Sequence, residues 1–294
     1  MSDFFTLALL TAVLRMATPL LFASLGGLTS ERSGVMNIGL EGMMLTGAFF
    51  AVAGTWWTSS AWLGLLVGVL ASAVAALIHA IWSITFRGDQ IVVGTAINLI
   101  AAGLSAFLVQ TIWGKAGASD RVETLPNIAS GVNILVPIAF VLVPVVHFFL
   151  FRTKQGLHIQ AAGENPQAAE SVGIDVTRYR YVAVIASGIF AGLGGAFLSI
   201  GDLSYFTLDM TAGRGFIALA AVIFGGWSPL GALGATLLFG AAQAVQIQAQ
   251  ATPGFPISSD LLVALPYIVT LIAITGLVRA RTGPAGLGTH ATTS

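Results

Sequence analysis

Apolar runs of about 20 residues, separated by short polar breaks, dominate the chain. Roughly 20 apolar residues, at 1.5 Å each, cross the hydrocarbon core of a bilayer, so each run predicts a transmembrane helix. Nine can be drawn: Phe4–Leu28, Gly34–Thr55, Ala61–Phe86, Ile91–Ile112, Ile134–Phe151, Tyr181–Ile200, Gly215–Trp227, Leu230–Gln248 and Asp260–Val278. The seventh is too short for a full crossing and predicts a tilted or broken helix. The expected fold is an all-α, polytopic transmembrane helical bundle of about nine spans, within a range of eight to ten. Gly34–Ala48 and Gly213–Gly226 each begin with a glycine and run into a short apolar helix. On this topology they enter from opposite faces, as the halves of an inverted repeat do; general likeness among Gly-rich membrane helices explains the echo equally well.

Composition agrees. Of 294 residues, 56% are hydrophobic and 8% charged, against about 25% charged in a soluble domain. Twelve Lys and Arg balance twelve Asp and Glu, so no charge excess points to nucleic acid. There is no cysteine, which excludes disulfides, thiol nucleophiles and Cys-ligated metals. The first basic residue, Arg15, follows Asp3; a cleavable signal has its basic region first, so the N-terminus is expected to be retained.

Lys and Arg in the loops set the orientation. One side holds Arg32, Arg87, Arg152, Lys154, Arg178, Arg180, Arg279 and Arg281; the other holds Lys115, Arg121 and Arg214. The richer side is expected in the cytoplasm, with the N-terminus outside and the C-terminus inside. Residues 1–281 then form the membrane domain, with a cytoplasmic loop over 152–180. Residues 282–294 are expected to be a disordered tail.

Few residues suit chemistry. No G-x-x-x-x-G-K-[ST] loop, H-E-x-x-H pair or G-x-S-x-G elbow occurs, so no catalytic and no metal-binding residues are assigned. Asn37 and Glu41 are four apart and share a helix face. A carboxylate within an apolar span is costly and usually faces a bundle interior or a polar path. Asn37, Glu41 and Asn98 are therefore candidates for a substrate pathway. The alternative for each is interhelical bonding, for Glu41 an ion pair with Arg15. Arg15 lies mid-span, unless the first helix breaks near Pro19. Gln243, Gln246, Gln248 and Gln250 add neutral amides, which suit a neutral solute or simply hold helices together.

In the loop, Asn165 precedes Pro166, an N-cap followed by a proline at the first helical position. A short helix over Gln167–Val172 is predicted, ended by Gly173. Ala168 and Ala169 leave one side smooth, which suits docking better than a core role.

Gly163-Glu164-Asn165-Pro166, Ala168-Ala169-Glu170 and Gly173-Ile174 resemble the cytoplasmic coupling loop of ABC importer permeases of the branched-chain amino acid/ribose class. Ser187–Gly195 and Gly225–Gly231 also look like that class. Ser30–Met44 looks like its nucleoside (purine nucleoside) uptake branch. The resemblance runs from about Thr18 to Gly276. It implies a permease subunit of the bacterial inner membrane that moves nucleosides by alternating access. It also implies ABC ATPase subunits docked on Gly163, Glu164, Asn165, Pro166, Ala168, Ala169 and Gly173. A second permease chain, different or identical, and an extracytoplasmic solute-binding protein or lipoprotein would complete the machine. ATP and Mg would be bound by the partner ATPase, with no cofactor in this chain. Ribose or another small sugar is the alternative solute, and an ion-coupled secondary transporter the alternative mechanism.

Overall fold

The computed structural model describes residues 7–128, 131–252 and 283–289, and the single positions 258, 261, 262, 264 and 268. Ten α-helices occur among them, with no strand beyond two isolated bridges. They are α1 (Leu7–Arg32), α2 (Leu40–Thr58), α3 (Ala61–Ala80), α4 (Gln90–Trp113), α5 (Leu135–Arg152), α6 (Lys154–Glu164), α7 (Pro166–Ser171), α8 (Val176–Ala196), α9 (Arg214–Phe224) and α10 (Pro229–Ala251). A π-helical turn extends α3 over Ile81–Thr85, and another extends α8 over Phe197–Leu203.

Six helices are long and apolar enough to cross a membrane: α1, α3, α4, α5, α8 and α10. The helical membrane bundle is therefore present, but the described residues do not give nine full spans. The second expected span is not helical until Leu40, because Gly34 takes a left-handed turn at φ 88° and residues 35–37 run non-helically. The seventh is an 11-residue helix, α9, and the ninth lies largely outside the described residues. α1 runs unbroken through Pro19, so the helix does not begin as a separate interfacial piece.

The centre of the bundle is α2, packed by α3, α8 and α4 and, at its start, by α9. Small residues allow this. A Cβ added to Gly47 would stand 2.6 Å from the Cα of Gly192, so α2 and α8 touch through bare backbone, the mode by which membrane helices associate. The outer helices turn large apolar side chains outward: Leu66, Leu70 and Val74 on α3, Leu99 and Phe107 on α4, Val141 and Phe148 on α5. Against water these faces are unstable; against lipid tails they are at home.

Following the chain, α1, α3 and α5 end where α4, α8 and α10 begin. This end, which carries α6 and α7, is called basal below. At the other, distal end the 113–133 segment lies against the chain after α8, with Val122 N–H donating to the Ser204 carbonyl (2.8 Å) and Ser119 N–H to that of Phe206 (2.9 Å).

Candidate functional site

Two polar assemblies stand out, one inside the bundle and one at its basal end.

Inside, two interrupted segments meet. From the basal side, residues 33–39 turn back into the bundle and start α2. From the distal side, residues 204–213 descend and start α9. Their N-termini meet at Glu41, whose carboxylate accepts from the Gly213 N–H (2.8 Å) and the Gly215 N–H (2.5 Å). A helix N-terminus exposes unpaired N–H groups and the positive end of its dipole, so an anion there is doubly favoured. The depth follows from helix lengths. α9 runs from this crossing to the basal end, where its following turn binds Arg32, and 11 residues span roughly 16 Å. That is about half of a 30 Å hydrocarbon core.

Amides hold the crossing. Asn98 on α4 accepts from the Gly42 N–H (2.7 Å) and donates to the Ile38 carbonyl (3.0 Å), bracketing the start of α2. Asn37, fully buried, donates to Ser187 Oγ on α8 (2.5 Å). His79 Nε2 bonds the Met36 carbonyl (3.2 Å), and Met36 N–H donates to Gln90 (2.7 Å). A buried stretch without helical hydrogen bonds needs such partners for its backbone. The three residues assigned to the pathway thus converge on one place, and each is engaged with protein.

The ion pair of Glu41 with Arg15 is not formed. Arg15 lies toward the distal end of α1 and pairs with Asp202 (2.8 Å). Glu41 is satisfied by main-chain amides instead. Arg214, expected in an outer loop, is instead the first residue of α9, between the two glycines bound by Glu41, with Nη1 donating to the Met210 and Thr211 carbonyls (3.2 Å each). The left-handed Gly213 (φ 80°) in the run Gly-Arg-Gly was the available signal for a helix start there. On α10, Gln243, Gln246 and Gln248 are half-buried and Gln250 is exposed.

At the basal end, the expected loop 152–180 is mostly helical. Thr153 caps α6 by accepting from the Gly156 N–H (3.1 Å), a helix not foreseen. α7 forms as predicted within a residue, with Asn165 accepting from the Ala168 N–H (3.0 Å), Pro166 at its first turn and Gly173 left-handed behind it (φ 84°). Its faces differ from the expectation. Ala169 is buried against Ala162 and Val176, and Pro166 and Gly163 are buried too. Glu164, Asn165, Ala168 and Gly173 are exposed, with Gln167 and Val172 beside them. A six-residue helix rich in alanine has no apolar stripe by which its inner face can be phased.

Beneath the elbow, Arg180 on α8 is buried and donates to the carbonyls of Ser33 (3.2 Å), Ala162 (3.5 Å) and Thr289 (2.9 Å). Arg32 donates to the Trp227 carbonyl through Nε (2.8 Å) and Nη2 (2.6 Å), and Trp227 Nε1 donates to Glu31 (2.5 Å). The tail expected to be disordered therefore contributes at least one packed segment, 283–289. Its amides find fixed acceptors on Gly34, Gly163 and Glu164.

A bundle of apolar helices, a mid-depth crossing of interrupted segments and an exposed basal elbow define a polytopic membrane protein of the transporter type. More particularly, the chain belongs to the family described as branched-chain amino acid transport system / permease component, whose model matches residues 9–274. It is 40% identical to the guanosine ABC transporter permease protein NupQ of Bacillus subtilis, over 94% of each chain. It is 38% identical to the nucleoside ABC transporter permease protein NupC of Lactococcus lactis, over 88% of each. It is 37% identical to the putative glucose ABC transporter permease protein TsgC13 of Haloferax volcanii, over 84% of this chain and 79% of that one.

Proposed function

We propose that this chain is the permease subunit of an ATP-driven importer that carries nucleosides across the bacterial inner membrane. The observation that carries the reading is similarity over nearly the whole length to permeases named for guanosine and nucleosides. The chain is then not itself an enzyme. ABC ATPase subunits bind and hydrolyse ATP with Mg, docking on the exposed side of α7: Asn165, Gln167, Ala168 and Val172. Gly163, Pro166 and Ala169 hold α7 in place from within. A second permease chain, different or identical, completes the path, and an extracytoplasmic binding protein delivers the solute. The basal end is cytoplasmic, a reading supported by Arg32, Arg87, Arg152, Lys154, Arg178 and Arg180 gathered there. With an odd number of crossings the N-terminus is outside and the C-terminus inside.

Asn37, Glu41 and Asn98 border this path by holding the crossing rather than by touching the solute. Their burial and mutual ties support that role. Alternating access needs elements with two discrete arrangements, and two short segments tied through a carboxylate to main-chain amides are suited to it.

The test is uptake of labelled guanosine, adenosine, ribose and glucose by cells expressing the complete transporter, with an intact ATPase and with one disabled in its phosphate loop. Nucleoside uptake that vanishes with the disabled ATPase is expected. ATP-dependent uptake of a sugar alone would move the substrate class. Uptake that survives the disabled ATPase but collapses with the ion gradient would overturn the importer reading.

A further inference from the structure

Residues 283–289 lie across the basal end and touch four separate parts of the chain. Gly286 N–H donates to the Gly163 carbonyl at the end of α6 (2.8 Å), and Ala285 N–H to Glu164 (3.2 Å). Gly288 N–H donates to the Gly34 carbonyl (3.0 Å), where the chain turns back into the membrane after α1. The Thr289 carbonyl accepts from Arg180 (2.9 Å). Gly283 lies on the Trp227 ring, in the turn between α9 and α10, with room for no side chain: an added Cβ would stand 2.9 Å from it.

Three glycine backbones make the joint. A Cβ on Gly34 would be 3.1 Å from the Gly286 carbonyl oxygen and 3.2 Å from the Gly163 Cα. One on Gly286 would be 2.7 Å from the Gly163 carbonyl oxygen. Ordering a chain segment costs about 1–2 kcal/mol per residue, so a surface tail adopts a single course only when its contacts offset that. Here the partners are the α7 elbow on one side and the segment leading to the Glu41 crossing on the other.

We propose that residues 283–289 are a coupling strap, which clamps the α6–α7 elbow to the start of the 33–39 segment so that displacement of the elbow reaches the mid-membrane crossing. The strap rests on the reading of α7 as the ATPase contact. It acts by position and touches neither solute nor nucleotide.

The experiment uses the whole complex, purified from its native membrane and reconstituted in proteoliposomes, with guanosine as solute and ATP inside. Guanosine moved per ATP hydrolysed is compared for wild type, a chain ended after Thr282, and Gly286→Val. Both variants are expected to co-purify with their partners and hydrolyse ATP while moving at least five-fold less guanosine per ATP. A purely structural tail lowers yield or melting temperature and leaves that ratio unchanged; an unchanged ratio in Gly286→Val overturns the proposal. So does failure of both variants to assemble, since the segment is then needed for folding. The cysteine-free chain allows a separate check of docking. Glu164→Cys with Ala285→Cys should be joined by a short bifunctional thiol cross-linker, because the Ala285 N–H lies on the end of the Glu164 side chain. Absence of that cross-link overturns the docked strap. A wild-type complex without ATP-dependent uptake defeats the functional reading itself, and that is visible before any variant is compared.

Discussion

The Glu41 carboxylate and the Gly213 N–H, 172 positions apart in sequence, bond at 2.8 Å where the first turns of α2 and α9 meet. With Gly215 as a second donor, one side chain closes the start of a helix that arrives from the other side of the bundle. Glu41→Ala leaves both amides unpaired in a low-dielectric setting, where losing a hydrogen bond to a charged group costs about 1.5–3 kcal/mol. Detergent-purified Glu41→Ala should melt several degrees lower and transport poorly. Glu41→Gln keeps an acceptor oxygen and should recover part of both. Equal loss in the two variants would show that charge at the site matters more than the bond.

The two glycines that bind Glu41 differ in why they are glycine. Gly213 is left-handed, at φ 80°, with open space where a Cβ would go; alanine costs about 1–2 kcal/mol there through backbone strain alone. Gly215 has an ordinary helical backbone, but its Cβ would stand 2.5 Å from the Cα and N of Glu41. Alanine at 215 must push α9 off α2. Gly213→Ala should therefore assemble with reduced melting temperature and measurable uptake, and Gly215→Ala should abolish uptake.

Neighbouring alanines of α7 should separate docking from folding. Ala168 is exposed and Ala169 buried. Ala168→Arg should insert, purify and melt like wild type, yet fail to retain the ATPase on pull-down and show no uptake. Ala169→Arg forces a charge between Ala162 and Val176 and should lower the yield of the chain itself, since an uncompensated buried charge is among the costliest substitutions. An Ala168→Arg complex that transports normally would remove α7 from the ATPase contact.

How far the sequence foretold this follows from which forces are local. Apolar length and capping are local, so α3, α4, α5 and α8 and the Asn165–Pro166 start of α7 could be read directly. Depth is not. Residues 35–39 are mostly apolar and read as helix, but Gly34 turns the chain and Gln90, Asn98 and Ser187, all distant in sequence, supply its hydrogen bonds. Arg214 reads as a loop residue because nothing nearby shows that the chain has descended into the bundle. The strap was invisible for the same reason: its glycines look like tail composition until Gly163 and Gly34 are opposite them.

Asn37 and Asn98 offer the sharpest distinction between holding the path and forming its wall. Asn98 satisfies two backbone groups at the start of α2, and Asn37 is enclosed against Ser187. Replacing either with leucine keeps the volume roughly constant and removes the bonds. Each orphaned buried group then costs about 1–3 kcal/mol. If the amides act as ties, Asn98→Leu should lower the melting temperature more than Asn37→Leu, because it strands two main-chain groups. In both, the surviving protein should take up guanosine with KM near wild type and a reduced maximal rate, since the solute contacts are intact and the moving parts are loosened. A solute-binding amide behaves oppositely: KM rises steeply at unchanged melting temperature, because a site built around a hydrogen bond loses affinity when one partner is removed. Paired melting and uptake curves on the two variants therefore assign each residue, and a raised KM in a fully stable Asn37→Leu protein would return Asn37 to the wall of the path.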